Sequence, residues 1–242
     1  MIDLHSHLLP GIDDGATDLQ DALRLARHAV SSGITHMVMT PHIHPGRYEN
    51  DIHSINAAHD QLRSALESNA VELHTAVAAE VRVSVEMIAM ISQSLIPFLG
   101  ELDGYKIILL EFPHSHVLPG TDKLISLLLK QGIRPMIAHP ERNKDVIRDL
   151  NKIRPFVDMG CLLQVTAGSV AGNFGEPAQE RAEQILSMGW AHVLASDAHN
   201  DYRLPELNAG REAAAAIVGE EASWQLVRDN PWAIVGQRFT AG

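Results

Sequence analysis

The amino-acid sequence predicts an α/β protein built on a parallel sheet, and two patterns predict it. Short apolar runs alternate with helical patterns along the whole chain, which calls for parallel strands joined by crossover helices, either closed into a barrel or doubly wound. Four glycines, Gly33, Gly132, Gly160 and Gly189, each end a helical pattern and open an apolar run, the last three lying 28 and 29 residues apart. That spacing is about one βα unit. At 242 residues, the chain suits one undivided domain spanning 1–242.

The first strand carries Asp3-Leu4-His5-Ser6-His7. Side chains alternate faces on a strand, so His5 and His7 point the same way, close enough to grip one ion. The stretch Pro10-Gly11-Ile12-Asp13-Asp14-Gly15 is a loop. A helix follows, with Thr17 and Gln20 as its capping box and Gly33 at its stop. Ile34 to Thr40 is the second strand, running into Pro41-His42. Asp51 to Ser68 is an amphipathic helix. Val71 to Val77 is the third strand, leading to Glu80, and Lys106 to Pro113 the fourth, whose continuous apolar run suits burial on both faces. Arg134 to Asn143 is the fifth strand, Cys161 to Ala167 the sixth and Ala191 to Asp197 the seventh, leading to His199. From Leu204 onward, an Ala-rich run and the stretch from Trp224 to Val235 read as closing helices.

Composition narrows the function classes. A formal charge of −11 argues against nucleic acid, whose phosphates are held by Lys and Arg clusters that this chain lacks. No apolar run is long enough to insert into a membrane. No basic segment with a cleavage site precedes the first motif, and the single cysteine, Cys161, fits a reducing compartment, so the expected location is cytoplasmic.

Fourteen histidines are the unusual feature. In parallel α/β folds the C-terminal strand ends converge on one rim, where loops build the site. His5, His7, His42, Glu80, Glu111, His139, Asp197 and His199 all fall at such ends. Buried polar groups cost free energy unless they are paired or bound to metal. Mixed His and carboxylate sets suit Mn, Zn or Fe, and clustered dications make water nucleophilic near neutral pH. The chemistry these residues favour is hydrolytic. His36, His74 and His192 sit at strand starts, the opposite end, and His28, His53 and His59 on helical patterns that read as solvated.

With Pro10 to Gly15, Thr40-Pro41-His42, Ala79-Glu80, Leu110-Glu111-Phe112-Pro113, Ala138-His139-Pro140-Glu141-Arg142 and Ser196-Asp197-Ala198-His199, the chain resembles the PHP (polymerase and histidinol phosphatase) superfamily. Within it, the chain is similar to the CpsB/CapC-type bacterial tyrosine-protein phosphatases of capsule and exopolysaccharide synthesis. The resemblance implies a distorted seven-stranded (β/α) TIM-like barrel holding three divalent metal ions, usually manganese. His5, His7, Glu80 and Asp197 would hold the first ion. Glu80, Glu111 and His139 would hold the second, and His42 with His199, aided by Asp14, the third. Arg142 would bind the substrate phosphate, and Arg203, four residues after His199, resembles a second phosphate-binding Arg. Asp3 fits a carboxylate behind a His ligand. His44, Arg47, His114 and His116 are candidates for lining the substrate entrance, and Glu141 for orienting Arg142.

The implied reaction is hydrolysis of phosphotyrosine by a metal-activated hydroxide. The implied partner is the Tyr-rich tail of a membrane-associated bacterial tyrosine kinase. Cysteine-based tyrosine phosphatases need a loop after the nucleophile that closes on Arg at the sixth position, and here that position is Ala167. Cys161 therefore reads as an apolar strand residue. Alternatives within the superfamily are histidinol-phosphate phosphatase or another small phosphomonoesterase, and outside catalysis a metal-binding PHP module. An amidohydrolase would want a bridging Lys, and no strand end supplies one.

Overall fold

The computed structural model describes residues 1–240. Among these residues ten strands stand in chain order: β1 (Ile2–Ser6), β2 (His36–Met39), β3 (His42–Ile43), β4 (His74–Val77), β5 (Glu80–Arg82), β6 (Gly100–Leu102), β7 (Tyr105–Glu111), β8 (Ile133–Ala138), β9 (Leu162–Thr166) and β10 (Ala191–Ala195). The longer helices between and after them are Leu19–Ser31, Ile52–Ser68, Thr121–Lys130, Glu176–Ser187, Asn208–Val218 and Asn230–Thr240. Among the described residues, no helix is long and apolar enough to cross a membrane.

The strands form two sheets. β1, β2 and β4 pair in parallel in the order β1-β2-β4, while the second sheet runs β10-β9-β8-β7-β5-β3, with β6 antiparallel against β7. The parallel α/β architecture expected from the sequence is present, and its strands are divided between two sheets that do not close into one ladder. Pro41, which has no N–H to donate, stands between β2 and β3, and Ala78-Ala79 interrupts the run from β4 to β5. In each case the first half of the run pairs in one sheet and the second half in the other. At the far edge the sheets touch: His7 N–H donates to Ala198 O at 2.8 Å and Asp197 N–H to His5 O at 2.9 Å. The contact is one isolated bridge between Ser6 and Ala198, not a continuous ladder.

Two-residue alternation divides the core. Ile108 and Leu110 face the large apolar layer under the helices, whereas Ile107 and Leu109 face the inner side with Leu4, Val38, Met136 and Val193. Glu111 continues the inner row of β7 and arrives at the rim, because residues i, i+2 and i+4 share a face. Ile234 and Val235, from the last helix, close the other end of this inner layer. There Ile234 O approaches so closely that a Cβ built on Gly100 would lie 2.0 Å away. Of the closing helices expected after Leu204, Asn230–Thr240 takes this role, while the Ala-rich Asn208–Val218 packs on the turn after β9.

The four junction glycines adopt φ between 67° and 88°, the left-handed conformation that ends a helix and turns the chain into a strand. Several boundaries move. The first helix is capped by Asp18, whose carboxylate accepts from Gln20 and Asp21 N–H, rather than by Thr17. The second is capped by Asp51 in a reciprocal box with Ser54. The fifth strand ends at Ala138, and Pro140–Arg142 is a turn of 3₁₀ helix.

Candidate metal centre and anion cavity

Every rim residue expected at the site reaches one cavity or the buried cluster beneath it. His5 Nε2 and His7 Nε2 face each other at 3.1 Å, and both approach Glu80 Oε2 (3.3 and 3.4 Å) and Asp197 Oδ1 (3.2 and 3.4 Å). His5, His7, Glu80 and Asp197 thus form one group able to hold an ion; a second contains His7, Asp14, His42 and His199, and a third His42, Glu80 and Glu111. His139 Nε2 sits 2.8 Å from Glu80 Oε1. The groupings differ from the expected sets in two respects: His7 joins the third-ion group, and His42 rather than His139 stands with Glu80 and Glu111.

What fixes these rings is a layer of acceptors behind them. His5 Nδ1–H donates to Gln164 Oε1 at 2.9 Å, His7 Nδ1–H to Asp13 Oδ2 at 2.7 Å, and His199 Nδ1–H to the Asp197 carbonyl at 2.9 Å. Each bond commits one ring nitrogen and leaves the Nε2 lone pair aimed into the cluster, which is the arrangement metal-binding histidines use. Asp13 also accepts from the N–H of His42 and Gly15, and Gln164 Oε1 from the N–H of His139.

The donor set fits divalent cations on the chain's own geometry. Among the described residues the buried atoms His42 Nδ1, Glu80 Oε2 and Glu111 Oε2 make no well-aligned hydrogen bond, although His42 Nδ1 and Glu80 Oε2 lie only 3.0 Å apart and Arg82 Nη2 pairs with Glu111 Oε2 at 2.9 Å. Burial opposes ionisation of Glu80, yet His5, His42 and His139 around it hold its carboxyl well below the usual range. Burial likewise opposes ionisation of Asp197, and Arg142 and His5 overcome it. Burial and His7 push His199 down to about 3, and burial and Arg142 push His139 down to about 4. Burial also works against charge on His42, but Glu80 raises its ring to about 9. Burial opposes charge on His5 and His7 too, but Glu80 and Asp197 raise the first ring and Asp13 the second, so these two and His42 are drawn towards protonation while His139 and His199 resist it. Bound cations would take the place of those protons beside Glu80 and Asp197 and free the ring nitrogens as ligands.

Two of these residues stand in strained backbone. His139 has φ 33° and Asp197 φ 52°, left-handed values that are uncommon outside glycine and cluster at functional sites. The kinks end β8 and the run after β10, turning both side chains inward.

The cavity above the cluster is lined by Asp14, His42, Arg47, Glu80, Arg82, Glu111, Phe112, His114, Ala138, His139, Pro140, Arg142, Asn143, Asp197, His199 and Arg203. Arg142 and Arg203 both pair with Asp197 Oδ2, Arg203 at 3.2 Å, and the Arg142 guanidinium stacks over Phe174 at 4.6 Å. Of the residues expected at the entrance, Arg47 and His114 line this cavity. His44 and His116 do not: His44 closes a tight turn with Tyr48, and His116 turns to Ser115 Oγ at 2.7 Å. Asp3 reaches no imidazole. It is fully buried and accepts from Ser196 N–H and Oγ–H and from His5 N–H, so it ties the end of β1 to the end of β10. Glu141 does not orient Arg142 by direct bonding; its carboxylate accepts from Thr166 N–H at 3.0 Å and Ser169 Oγ–H at 2.8 Å. Of the helix histidines, His53 is exposed while His59 is half-buried and bonds Thr75. His36 and His74 stack on each other at the opposite end.

Asp13, Gln164 and Arg82 were missed. Arg82 Nη2 meets Glu111 Oε2 at 2.9 Å. Its place two residues after Glu80 on one strand was the available signal. Gln164 sits inside an apolar strand, where a lone buried amide needs partners.

A His and carboxylate cluster at the C-terminal rim of parallel strands, roofed by an arginine-lined cavity, defines a class: a centre able to hold divalent cations beside a cavity whose guanidinium groups suit an anion. The chain belongs to the family described as capsular polysaccharide synthesis, CpsB/CapC, which residues 1–236 match. It is 36% identical over 200 residues to the tyrosine-protein phosphatase YwqE of Bacillus subtilis, covering 83% of this chain and 78% of that one. It is 29% identical over 241 residues to the tyrosine-protein phosphatase CpsB of Streptococcus pneumoniae, covering 97% and 98%. Its fold superposes on a solved structure from work on YwqE and CpsB, described as metal-dependent tyrosine phosphatases, with TM-score 0.89 and 32% identity over 96% of this chain and 94% of that one.

Proposed function

We propose that this chain is a metal-dependent protein-tyrosine phosphatase, a phosphoric monoester hydrolase acting on a phosphorylated protein of capsule or exopolysaccharide synthesis. The observation that supports this most is the position of Asp197. Its Oδ1 faces His5 and His7 while its Oδ2 holds Arg142 and Arg203, so one carboxylate joins the cation cluster to two guanidinium groups at the cavity wall.

On this reading residues 1–242 are one PHP-type domain, and the two sheets are a distorted seven-stranded barrel in which β2 with β3, and β4 with β5, each count as one broken strand. Three manganese ions are the proposed complement: His5, His7, Glu80 and Asp197 hold the first, Glu80, Glu111 and His139 the second, and His42, His199 and Asp14 the third. When bound, such ions supply an activated water and neutralise charge on the phosphoryl group.

The chain's own residues do the rest. Arg142 and Arg203 exchange part of their bonding to Asp197 for the phosphate oxygens and orient the ester, a bidentate role that guanidinium geometry suits. Gln164 and Asp13 keep His5 and His7 in the tautomer that leaves Nε2 free. A tyrosine phenolate, with an ordinary pKa of about 10, leaves without a strongly acidic proton donor. Cys161 takes no part: it is buried, and burial pushes its thiol up to about 12, so it supplies almost no thiolate. The proposed substrate is the Tyr-rich tail of a membrane-associated bacterial tyrosine kinase, met in the cytoplasm.

The test is hydrolysis of a phosphotyrosine peptide across a manganese titration, run beside His139→Ala. Chelation is expected to abolish turnover and manganese to restore it, while loss of the ring lowers activity at limiting manganese by about 10- to 100-fold. Full activity in rigorously metal-stripped protein would overturn the reading.

A further inference from the structure

A second cavity lies on the same rim, one strand further along. It is formed by the turn after β9 and the loop after β10, and lined by Gly168, Phe174, Tyr202, Leu204, Glu206 and Ala209 among others, with Arg203 common to it and to the cavity over the cluster. The partition between the two is thin: Arg203 on one side, and Phe174 with the Arg142 guanidinium stacked on it. A phosphate gripped by these two arginines is therefore within one residue's reach of the second cavity.

The walls are held in place before anything binds. A Cβ on Gly210 would lie 2.4 Å from Ala167 O, so the helix Asn208–Val218 is pressed directly onto the turn after β9. A Cβ on Gly168 would lie 3.0 Å from Phe174 Cε2, so that ring is seated against backbone. The free volume, about 180 Å³, is on the scale of a side chain and below the range typical of whole small-molecule ligands. Tyr202 stands at the mouth with 97% of its surface exposed. Of the two carboxylates in the lining, Asp201 is paired with Arg24. Glu206 makes no hydrogen bond or ion pair among the described residues.

We infer that this cavity is a subsite for the residue flanking the phosphotyrosine, taking a neutral or cationic side chain in preference to an acidic one. The inference rests on the phosphatase reading and adds a substrate preference to it. The phosphate enters the arginine-lined cavity, the chain crosses Arg203, and the neighbouring side chain settles between Phe174 and Tyr202 with Glu206 beside it. An acidic side chain there would meet Glu206 while Arg203, the cation in the lining, is engaged by the phosphate.

The experiment uses the full chain and three fluorescent phosphotyrosine peptides that differ only in having Lys, Ala or Glu beside the phosphotyrosine, each set made for both sides of it. Dissociation constants come from anisotropy, and manganese-supported turnover is read for the peptides and for 4-nitrophenyl phosphate, which has no flanking residue. The Lys peptide is expected to bind about threefold tighter than the Glu peptide, the scale of an exposed charge pair, and Glu206→Lys reverses the order. Ala209→Trp, at an exposed position, fills the cavity and weakens every peptide about tenfold, the scale of a steric mismatch in a pocket, while the rate on 4-nitrophenyl phosphate stays. Identical constants for all peptides and both variants would overturn the inference, as would an Ala209→Trp chain that loses peptide and aryl phosphate alike. If neither the peptides nor 4-nitrophenyl phosphate is hydrolysed with manganese present while the peptides still discriminate in binding, the phosphatase reading fails and the subsite stands.

Discussion

Asp13 sets the tautomer of His7, and through it the direction of a lone pair. Its carboxylate takes the Nδ1 proton at 2.7 Å and also holds the backbone N–H of His42 at 3.0 Å and of Gly15 at 2.9 Å, so one side chain fixes the His7 imidazole, the backbone that carries His42 and the loop between them. Removing it in Asp13→Ala is expected to raise the manganese concentration needed for half-maximal turnover by about 10- to 100-fold, with much of the rate regained at saturating metal. An unchanged half-saturation point would show that His7 is oriented by packing alone. At this scale the strand-end histidines and carboxylates were legible because alternation and position on the rim announce them. Asp13 was not: it is one of two adjacent aspartates in an irregular loop, where no period says which faces the ions and which stands behind. Cys161 makes the opposite point. Burial pushes its thiol from 9.0 up to about 12, so the neutral thiol's contribution to stability is complete below about pH 9 and is lost as pH rises towards 12. Iodoacetamide at pH 8 should leave folded protein unmodified, and Cys161→Ser should keep full activity. Rapid inactivation by the reagent, prevented by that substitution, would contradict the burial.

The elements matter less for their lengths than for how they stop. The fifth strand was expected to run to Asn143, although its apolar run stops at Ala138 and Pro140 cannot donate to a ladder. It ends at Ala138 because His139 turns left-handed and Pro140 starts a 3₁₀ turn, and this kink delivers His139 inward and Arg142 to the cavity. The split of β2 from β3 was half legible, since Pro41 marks it. The split of β4 from β5 at two alanines carries no comparable mark, and the short β6 is defined by its pairing with β7, a nonlocal contact that a sequence pattern does not display. The loop after β1 shows how tight such stops are. A Cβ on Gly15 would lie 1.8 Å from His7 O and 2.6 Å from His7 Cβ. Gly15→Ala must therefore displace either the loop or His7, at a cost of about 1–3 kcal/mol by the usual scale of overpacking. A melting temperature lowered by several degrees together with weaker manganese binding is the expected result; normal metal affinity would mean that the loop can yield without moving the ring.

At the scale of the whole molecule, the centre is built from chain segments that have nothing to hold them together in the unfolded state. His5 comes from β1 and His7 from just after it, Glu80 from β5 and Asp197 from beyond β10, nearly the full length of the chain apart. A cation bound by such a set binds the folded chain and hardly the unfolded one, so its binding free energy adds to stability. Without it, the folded chain keeps ionised Glu80 and Asp197 close together in a buried cluster, with only histidine protons and arginines to offset them. The chain's charge of −11 adds general repulsion in the same sense. Manganese at a thousandfold excess over its dissociation constant contributes about 4 kcal/mol, which for a chain of this size is roughly 10 °C in melting temperature. Thorough chelation should lower the melting temperature by that order, and manganese should restore it. His139→Ala should shrink the manganese-dependent difference and also lower the melting temperature of the stripped protein, because there the ring is the partner of the buried Glu80 Oε1 at 2.8 Å. A melting temperature indifferent to chelator and metal would mean that the cluster is neutralised by its own protons and arginines, and that the cations are not part of the folded ground state.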